Sequence, residues 1–515
     1  MSPSAEWTHP VVLPDEQATR QLAADIAAIL LPGDLVALSG DLGAGKTTLA
    51  RALIRNLAGD EALEVPSPTF SLMQPYDLPR FAILHVDLYR ITSSSELAEI
   101  GFPDMAENAV VILEWPERAA DLMPADRLEI ALRLAPRLGP SFRSARVNGL
   151  GTFAARVERM VMIRRFLDES GFGNADHTHL QGDASTRAYE RLARGKQRAV
   201  LMNAPRRPDG PPLHDGMSYS AIAHLAEDVK PFVALARGLR DRGFSAPKVY
   251  AADLADGLLI LEDLGSDGVV KGDPPAPIEE RYAAAVDVLV ALHREALPAT
   301  LPVAPNVRYR LPRYDLGAFL VEVELLLDWY LPHQGVDIEH EAREDFVELW
   351  ETALNAAIAA PPTWVLRDFH SPNLLWLPER EGIARVGLLD FQDALMGPRA
   401  YDLVSLLQDA RVDVPETLEV SLLGRYAKAF SEHDPAADTS ALIETYALLG
   451  AQRATKILGI FARLDRRDGK PQYLRHLPRV WRNLMRSLAH PSLATIRNWY
   501  EAHVPAPDGN STPAP

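Results

Sequence analysis

Apolar positions in the first sixty residues follow two rhythms. Asp34–Ser39 (DLVALS) is a short, nearly continuous apolar run, which predicts a buried strand. Between Lys46 and Ala58, Leu49, Leu53, Ile54 and Leu57 recur at the spacing of one helix face, and Gly59 supplies a stop. The runs Ala82–Val86 and Val110–Leu113 predict two more strands. Strands alternating with helices imply an α/β domain with a largely parallel sheet and crossover helices. From Ala135 to Gly151 the pattern breaks into APRLGPSFRSARVNGLG, so the domain boundary is placed near residue 153, with part of this stretch left open as a last strand. A helix over Ala155–Asp168 opens the second domain. Mixed strand and turn patterns then reach about Leu264. After Glu279 the pattern is mostly helical, with Gly317–Tyr330 and Glu341–Ala359 as long stretches. A β-rich small lobe followed by a helical large lobe is the order of an α+β bilobal, protein-kinase-like domain. The expected division is therefore 1–153, 154–504 and a disordered tail, 505–515, whose PAPDGNSTPAP offers little to bury.

Composition narrows the setting. Hydrophobic residues make up 47% and charged residues 24% of 515, close to a globular average. No run of about 18 apolar residues predicts a membrane span, and the N-terminus lacks the pattern of a signal peptide. With no cysteine, disulfides, a catalytic thiol and cysteine-bound metal are excluded, and a reducing cytoplasm is the expected location. The net charge is −17, and through Leu150 12 Lys and Arg stand against 20 Asp and Glu. An acidic surface repels a phosphate backbone, so direct tight binding of nucleic acid is not expected unless a basic patch is segregated. The one long basic stretch, Arg133, Arg137, Arg143, Arg146, Arg156, Arg159, Arg164 and Arg165, reads as a solvated surface around the domain junction.

Gly40-Asp41-Leu42-Gly43-Ala44-Gly45-Lys46-Thr47 fits G-x-x-x-x-G-K-[ST] and stands between strand and helix, the context in which it cradles phosphate. The glycines let backbone N–H groups converge on phosphate oxygens, and the helix N-terminus adds partial positive charge. ATP and Mg²⁺ are the expected cofactors. Gly40, Gly43, Ala44, Gly45, Lys46, Thr47 and Thr48 contact the nucleotide, with Lys46 on the β- and γ-phosphates and the Thr47 hydroxyl on the metal. Asp87 follows an apolar strand and can reach Mg²⁺ or stay a surface carboxylate. Glu114 ends the strand VVIL at the ligand edge of an α/β sheet, where it can polarise a water. Trp115 can stack on a base or pack in the core. Ser67-Pro68-Thr69 is a rigid turn that can respond to the γ-phosphate.

The set GDLGAGKTT, SPTF, HVDLYR and LEWPER, over about residues 10–150, resembles the bacterial TsaE family. Those proteins are the ATPase subunit of the machinery that makes threonylcarbamoyladenosine in tRNA. The resemblance implies phosphate and Mg²⁺ handling by Lys46 and Thr47, a switch loop containing Ser67 and Thr69, and Asp87 at the metal. It also places Glu114 and Trp115 in the nucleotide pocket. The family acts by binding threonylcarbamoyltransferase subunits of the TsaB/TsaD type, so protein partners are implied.

In the second domain, Arg367-Asp368-Phe369-His370-Ser371-Pro372-Asn373 follows the kinase loop H-R-D-x-x-x-x-N, and Gly387–Asp393 (GLLDFQD) is an apolar strand ending in Asp390. Asp368 would accept the acceptor hydroxyl's proton, while Asn373 and Asp390, seventeen residues apart, would hold Mg²⁺. Gly182–Arg187 would cover the phosphates, with Arg187 as a cation for them, and Leu258–Leu264, with Glu262, would be the hinge strand at adenine. The segments GDASTRAYERL, LLILEDLGS, RDFHSPNLLW and GLLDFQDALMGPRAYDLVSLLQD, within about 180–475, resemble the aminoglycoside phosphotransferase-like superfamily. Within it they are most similar to the AmgK group, anomeric kinases of N-acetylmuramate and N-acetylglucosamine that feed cell-wall recycling. Two departures stand out. Leu366 replaces a usual His, a position that mainly supports loop packing. The strand Ala199–Asn203 also lacks the usual phosphate-pairing Lys. An aminoglycoside, choline or another small alcohol as acceptor, or a weakly active regulatory scaffold, are the alternatives to a sugar kinase.

Overall fold

The computed structural model describes residues 6–91, 96–97, 101–180, 187–206, 210–214, 216–433 and 438–507. It divides into two compact units, Met1–Pro205 with Ala251–Asp263, and Arg206–Tyr250 with Leu264–Pro515.

The first unit opens with β1 (Glu6–Leu13), α1 (Glu16–Ile29), β2 (Leu35–Ser39), α2 (Lys46–Ala58), β3 (Met73–Asp77), β4 (Ala82–Asp87), β5 (Val110–Glu114), β6 (Arg127–Leu134) and β7 (Arg143–Leu150). Its sheet has the order β1-β7-β6-β2-β5-β4-β3. The centre, β6-β2-β5-β4, is parallel. The flanking pairings β3–β4, β6–β7 and β1–β7 are antiparallel. The expectation of a largely parallel sheet thus holds for the centre alone: β3–β4 and β6–β7 join by short connections that need no crossover helix, and β1 pairs with β7 from the far end of the domain. β7 lies in the Arg- and Gly-rich stretch. Its inward positions Ala145, Val147 and Gly149 alternate with polar ones, a period of two that the composition conceals. One face of the sheet packs on α1 and α2, and the other buries Leu84, Val86, Val111 and Leu113.

α3 (Phe153–Glu169) follows directly. Phe153, Val157 and Met160 complete the core of the seven-stranded sheet. One turn further, Ile163, Phe166 and Leu167 join the core of a second, five-stranded sheet. That sheet comprises β8 (Asp176–Leu180), β9 (Ala188–Arg194), β10 (Gln197–Asn203), β11 (Val249–Asp253) and β12 (Leu258–Glu262), in the order β11-β12-β10-β9-β8. Three of the four arginines of α3 are not a solvated surface, and only Arg165 is exposed as expected. Arg156 pairs with Asp34 at 2.6 Å, Arg164 with Asp25 at 2.5 Å, and Arg159 donates to Asn203 at 2.7 Å. Each finds its acceptor across the packed faces, and for Arg156 and Arg164 that acceptor is a carboxylate that neutralises the charge.

The second unit is mainly helical. Its principal elements are α4 (Lys230–Arg240), α5 (Glu279–His293), α6 (Leu316–Val323), α7 (His340–Ala359), β13 (Thr363–Val365), β14 (Leu374–Trp376), β15 (Val386–Leu388), β16 (Leu395–Gly397), α8 (Ala400–Leu407), α9 (Glu416–His433) and α10 (Thr439–Asp468). The stretch expected as one helix over Gly317–Tyr330 is α6 followed by a π-helical turn, Leu326–Tyr330. Gly459 of α10 lies against that bend, where a Cβ would overlap the backbone of Leu325. Among the described residues no helix is long and apolar enough to cross a membrane.

Candidate active sites

In the first unit the cradle connects β2 to α2. Gly40 and Gly45 take positive φ values of 137° and 107°, and a Cβ on Gly40 would overlap the Leu132 carbonyl oxygen, so only glycine fits this turn. Lys46 is buried. Its Nζ donates to Gly40 O at 2.6 Å and Asp41 O at 3.1 Å, and lies 3.5 Å from the centroid of the Trp115 ring. Burial lowers its proton affinity, and Glu114, Glu117 and Asp87 counter that. Trp115 therefore faces the Lys46 ammonium. It is held there by a left-handed backbone, φ 63°. A cleft of about 440 Å³ on another side of the cradle is lined by Gly43, Ala44, Gly45 and Thr48 together with Asp15, Thr19 and Arg143.

The Thr47 hydroxyl donates to Glu114 Oε2 at 2.8 Å, and His85 Nε2 donates to Glu114 Oε1 at 2.9 Å. His85 is fully buried, and its Nδ1 has no partner. Sequence reasoning passed over His85, although it stands two residues before Asp87 on the same face of β4. Asp87 accepts from Thr69 Oγ1 at 2.9 Å, Ser67 Oγ at 3.3 Å and the Tyr89 N–H at 3.0 Å. The expected switch turn and the expected metal carboxylate are thus in direct contact, and register places Asp87 beside Glu114. Thr47 and Asp87 offer hard oxygen donors. That suits Mg²⁺, which is held by one or two carboxylates and by phosphate oxygens.

The second constellation starts at β13. The chain turns through Leu366–Asn373, forms the β14–β15 hairpin and reaches Asp390. Asp402, at the start of α8, accepts from the Leu366 and Arg367 N–H groups at 2.6 and 2.8 Å. Asp409 accepts from Ser371 N and Oγ at 2.9 and 2.6 Å. The Leu389 N–H donates to Asn373 O at 2.9 Å, which ties the loop to the strand carrying Asp390. Asp368, Asn373 and Asp390 are each half-buried. The Asn373 amide nitrogen donates to Asp368 O at 2.9 Å, leaving its oxygen as the acceptor. With the Asp390 carboxylate this makes an oxygen donor pair that fits Mg²⁺. Arg367 and Asp390 hold left-handed backbones, φ 70° and 54°, strain of the kind found at functional sites.

Beneath the loop, Glu322 gathers charge. It pairs with Arg367 and accepts from Lys456 at 2.7 Å, Gln452 at 3.0 Å and the Tyr314 hydroxyl at 2.5 Å. Burial pushes Asp368 up, but His370, Lys456, Arg453 and Arg367 outweigh it, and its pKa is lowered. Burial also lowers His370, so at neutral pH the lysine and arginines are the cations that keep Asp368 ionised. Leu366, in place of the usual His, is buried in the loop's packing. In the first unit Arg187 directly precedes β9, and Glu262 ends β12 paired with Ala199. Gly182–Thr186 lie outside the described residues.

Fold and sites define a P-loop nucleotide-binding domain joined to a kinase-type phosphotransferase domain. Residues 13–137 match the family model for the threonylcarbamoyl adenosine biosynthesis protein TsaE, and residues 176–442 that of the phosphotransferase enzyme family. An N-acetylmuramate/N-acetylglucosamine kinase of Caulobacter vibrioides is 40% identical over 361 residues, covering 68% of this chain and 97% of the relative. One of Pseudomonas aeruginosa is 34% identical over 327 residues, 61% of this chain and 84% of the relative. A tRNA threonylcarbamoyladenosine biosynthesis protein TsaE of Rickettsia bellii is 38% identical over 123 residues, 24% of this chain and 85% of the relative. The chain belongs to the phosphotransferase enzyme family and, through its N-terminal region, to the TsaE family.

Proposed function

We propose that the chain is bifunctional, with a functional boundary near residue 153. Its N-terminal domain is an ATPase that serves tRNA threonylcarbamoyladenosine modification by binding transferase subunits of the TsaB/TsaD type. Its C-terminal domain phosphorylates the anomeric hydroxyl of N-acetylmuramate or N-acetylglucosamine, in the cytoplasm and toward cell-wall recycling. The Asp368–Asn373–Asp390 constellation, in a chain 40% identical to a kinase of those sugars, carries the second reading. Asp368 takes the proton of the attacking hydroxyl as its oxygen bonds to the γ-phosphorus. The bond to the bridging oxygen breaks, and ADP leaves. Asn373 and Asp390 would hold Mg²⁺, which neutralises phosphate charge when bound.

The test is product formation from both sugars, with phosphorus NMR locating the ester. Asp368→Asn should lower the rate by about 100-fold or more while Mg-ATP still binds. Asp390→Ala should weaken Mg-ATP binding itself. Phosphorylation confined to a non-anomeric hydroxyl, to aminoglycosides or to choline would refute the sugar reading, and no transfer to any acceptor would favour a regulatory scaffold. For the first domain, the contact of Thr69 with Asp87 supports a nucleotide-responsive loop. Next to it Phe70 is 84% exposed, and Leu42 in the cradle is 74% exposed, apolar surface suited to a protein partner. Capture of the transferase subunits should require ATP, Thr69 and Asp87. Tight, salt-sensitive tRNA binding without those subunits would contradict it.

A further inference from the structure

Arg453 lies on α10, one residue from Gln452 and three from Lys456. Gln452 donates to Glu322, Lys456 donates to Glu322 and the Tyr401 hydroxyl, and Arg367 is likewise taken up by Glu322 and by Ala223 O. Arg453 is only 5% exposed, and its Nε and Nη1 are enclosed with no hydrogen-bond partner among the described residues. A guanidinium keeps its charge, and a buried unpaired cation is strongly destabilising. Such a group is retained where an anion arrives to meet it. Its field falls on Asp368, His370 and Asp402, the side of the loop that must receive the acceptor hydroxyl. The donors expected to face the phosphates through a metal, Asn373 and Asp390, belong to the hairpin instead.

We propose that Arg453 is the specificity residue of the acceptor site and pairs with a carboxylate on the sugar, the lactyl carboxylate that N-acetylmuramate carries and N-acetylglucosamine lacks. This rests on the kinase reading above. A planar guanidinium matches a carboxylate in two-point fashion, and truncating one side of a buried charge pair is costly. The neutral sugar has no partner for that pair, so the residue sets preference between the two acceptors.

The experiment uses the full chain with saturating ATP and compares kcat/KM for both sugars in wild type, Arg453→Gln and Arg453→Lys. Arg453→Gln should lower kcat/KM for N-acetylmuramate by about 30-fold or more, mainly through KM. Turnover of N-acetylglucosamine should fall much less, the KM for ATP should stay within about threefold, and Arg453→Lys should recover part of the loss. Wild type given the methyl ester of N-acetylmuramate should behave like Arg453→Gln given the acid, a comparison that needs no variant to fold. Equal losses with both sugars, or a raised KM for ATP, would place Arg453 on the transferred phosphoryl group and overturn the proposal. So would an unchanged ratio. Wild type inactive on both sugars refutes the kinase reading instead, which the unmutated chain reports separately.

Discussion

At the scale of single residues the two sites differ in how their carboxylates are held. Glu114 is fixed from both sides, by the Thr47 hydroxyl and by buried His85, whose partnerless Nδ1 shows that its place is set by the Glu114 contact. His85→Phe removes a donor to a carboxylate, worth about 1.5 kcal/mol or more. Hydrolysis of ATP by the first domain, assayed with the TsaB/TsaD-type subunits proposed as its partners, should then fall about tenfold, with ATP affinity nearly unchanged. His85→Gln, which restores an N–H at the same reach, should recover most of it. Equal rates in the Phe variant and wild type would remove His85 from the site. The sequence made Asp368, Asn373 and Asp390 legible because a loop and a hairpin fix their spacing. His85 meets Glu114 from 29 residues away, and Glu322 meets Lys456 from 134, so no local pattern announces either contact.

At the scale of elements, β8 is joined to α1 and α3 by charge. His177 of β8 bonds Glu190 of β9 and lies 3.3 Å from Asp25 of α1, which also holds Arg164 of α3. Burial lowers the His177 pKa, but the two carboxylates outweigh that and raise it from 6.5 to about 9. The proton is bound more tightly in the folded chain, so the stabilisation is whole below pH 6.5 and is lost as pH rises through 9. It amounts to about 3 kcal/mol. Thermal melts between pH 6 and 9.5 should show a fall in wild type that His177→Gln lacks; matching slopes in both proteins would refute it. Strands and helices with a clear period were readable, as α2 and β5 were. Arg156 and Arg164 of α3 were misread as solvated because their acceptors, Asp34 and Asp25, lie more than 120 residues earlier in the chain.

At the scale of the whole molecule, the motifs separated two phosphate chemistries, whereas compactness joins the small five-stranded sheet to the P-loop domain. Composition changes near residue 153, but α3 crosses that point and serves both cores, which a composition reading cannot see. Among the described residues Lys46 bonds Gly40 and Asp41 and lies on Trp115, all within the seven-stranded sheet's domain. Lys46→Ala should therefore weaken nucleotide binding there at least tenfold, about 1.4 kcal/mol, and leave sugar phosphorylation unchanged. Loss of both activities would show that the cradle supports more than its own domain. α3 also acts as a gear with fixed teeth. Each added residue turns a helix by about 100° and advances it by about 1.5 Å. One residue inserted between Met160 and Ile163 would swing Ile163, Phe166 and Leu167 away from their sheet while Phe153, Val157 and Met160 stayed seated. Insertions of seven, close to two whole turns, come back near phase and should be tolerated far better than insertions of one or two. The join between the two sheets is therefore kept in angular register, and its length can drift only by whole turns.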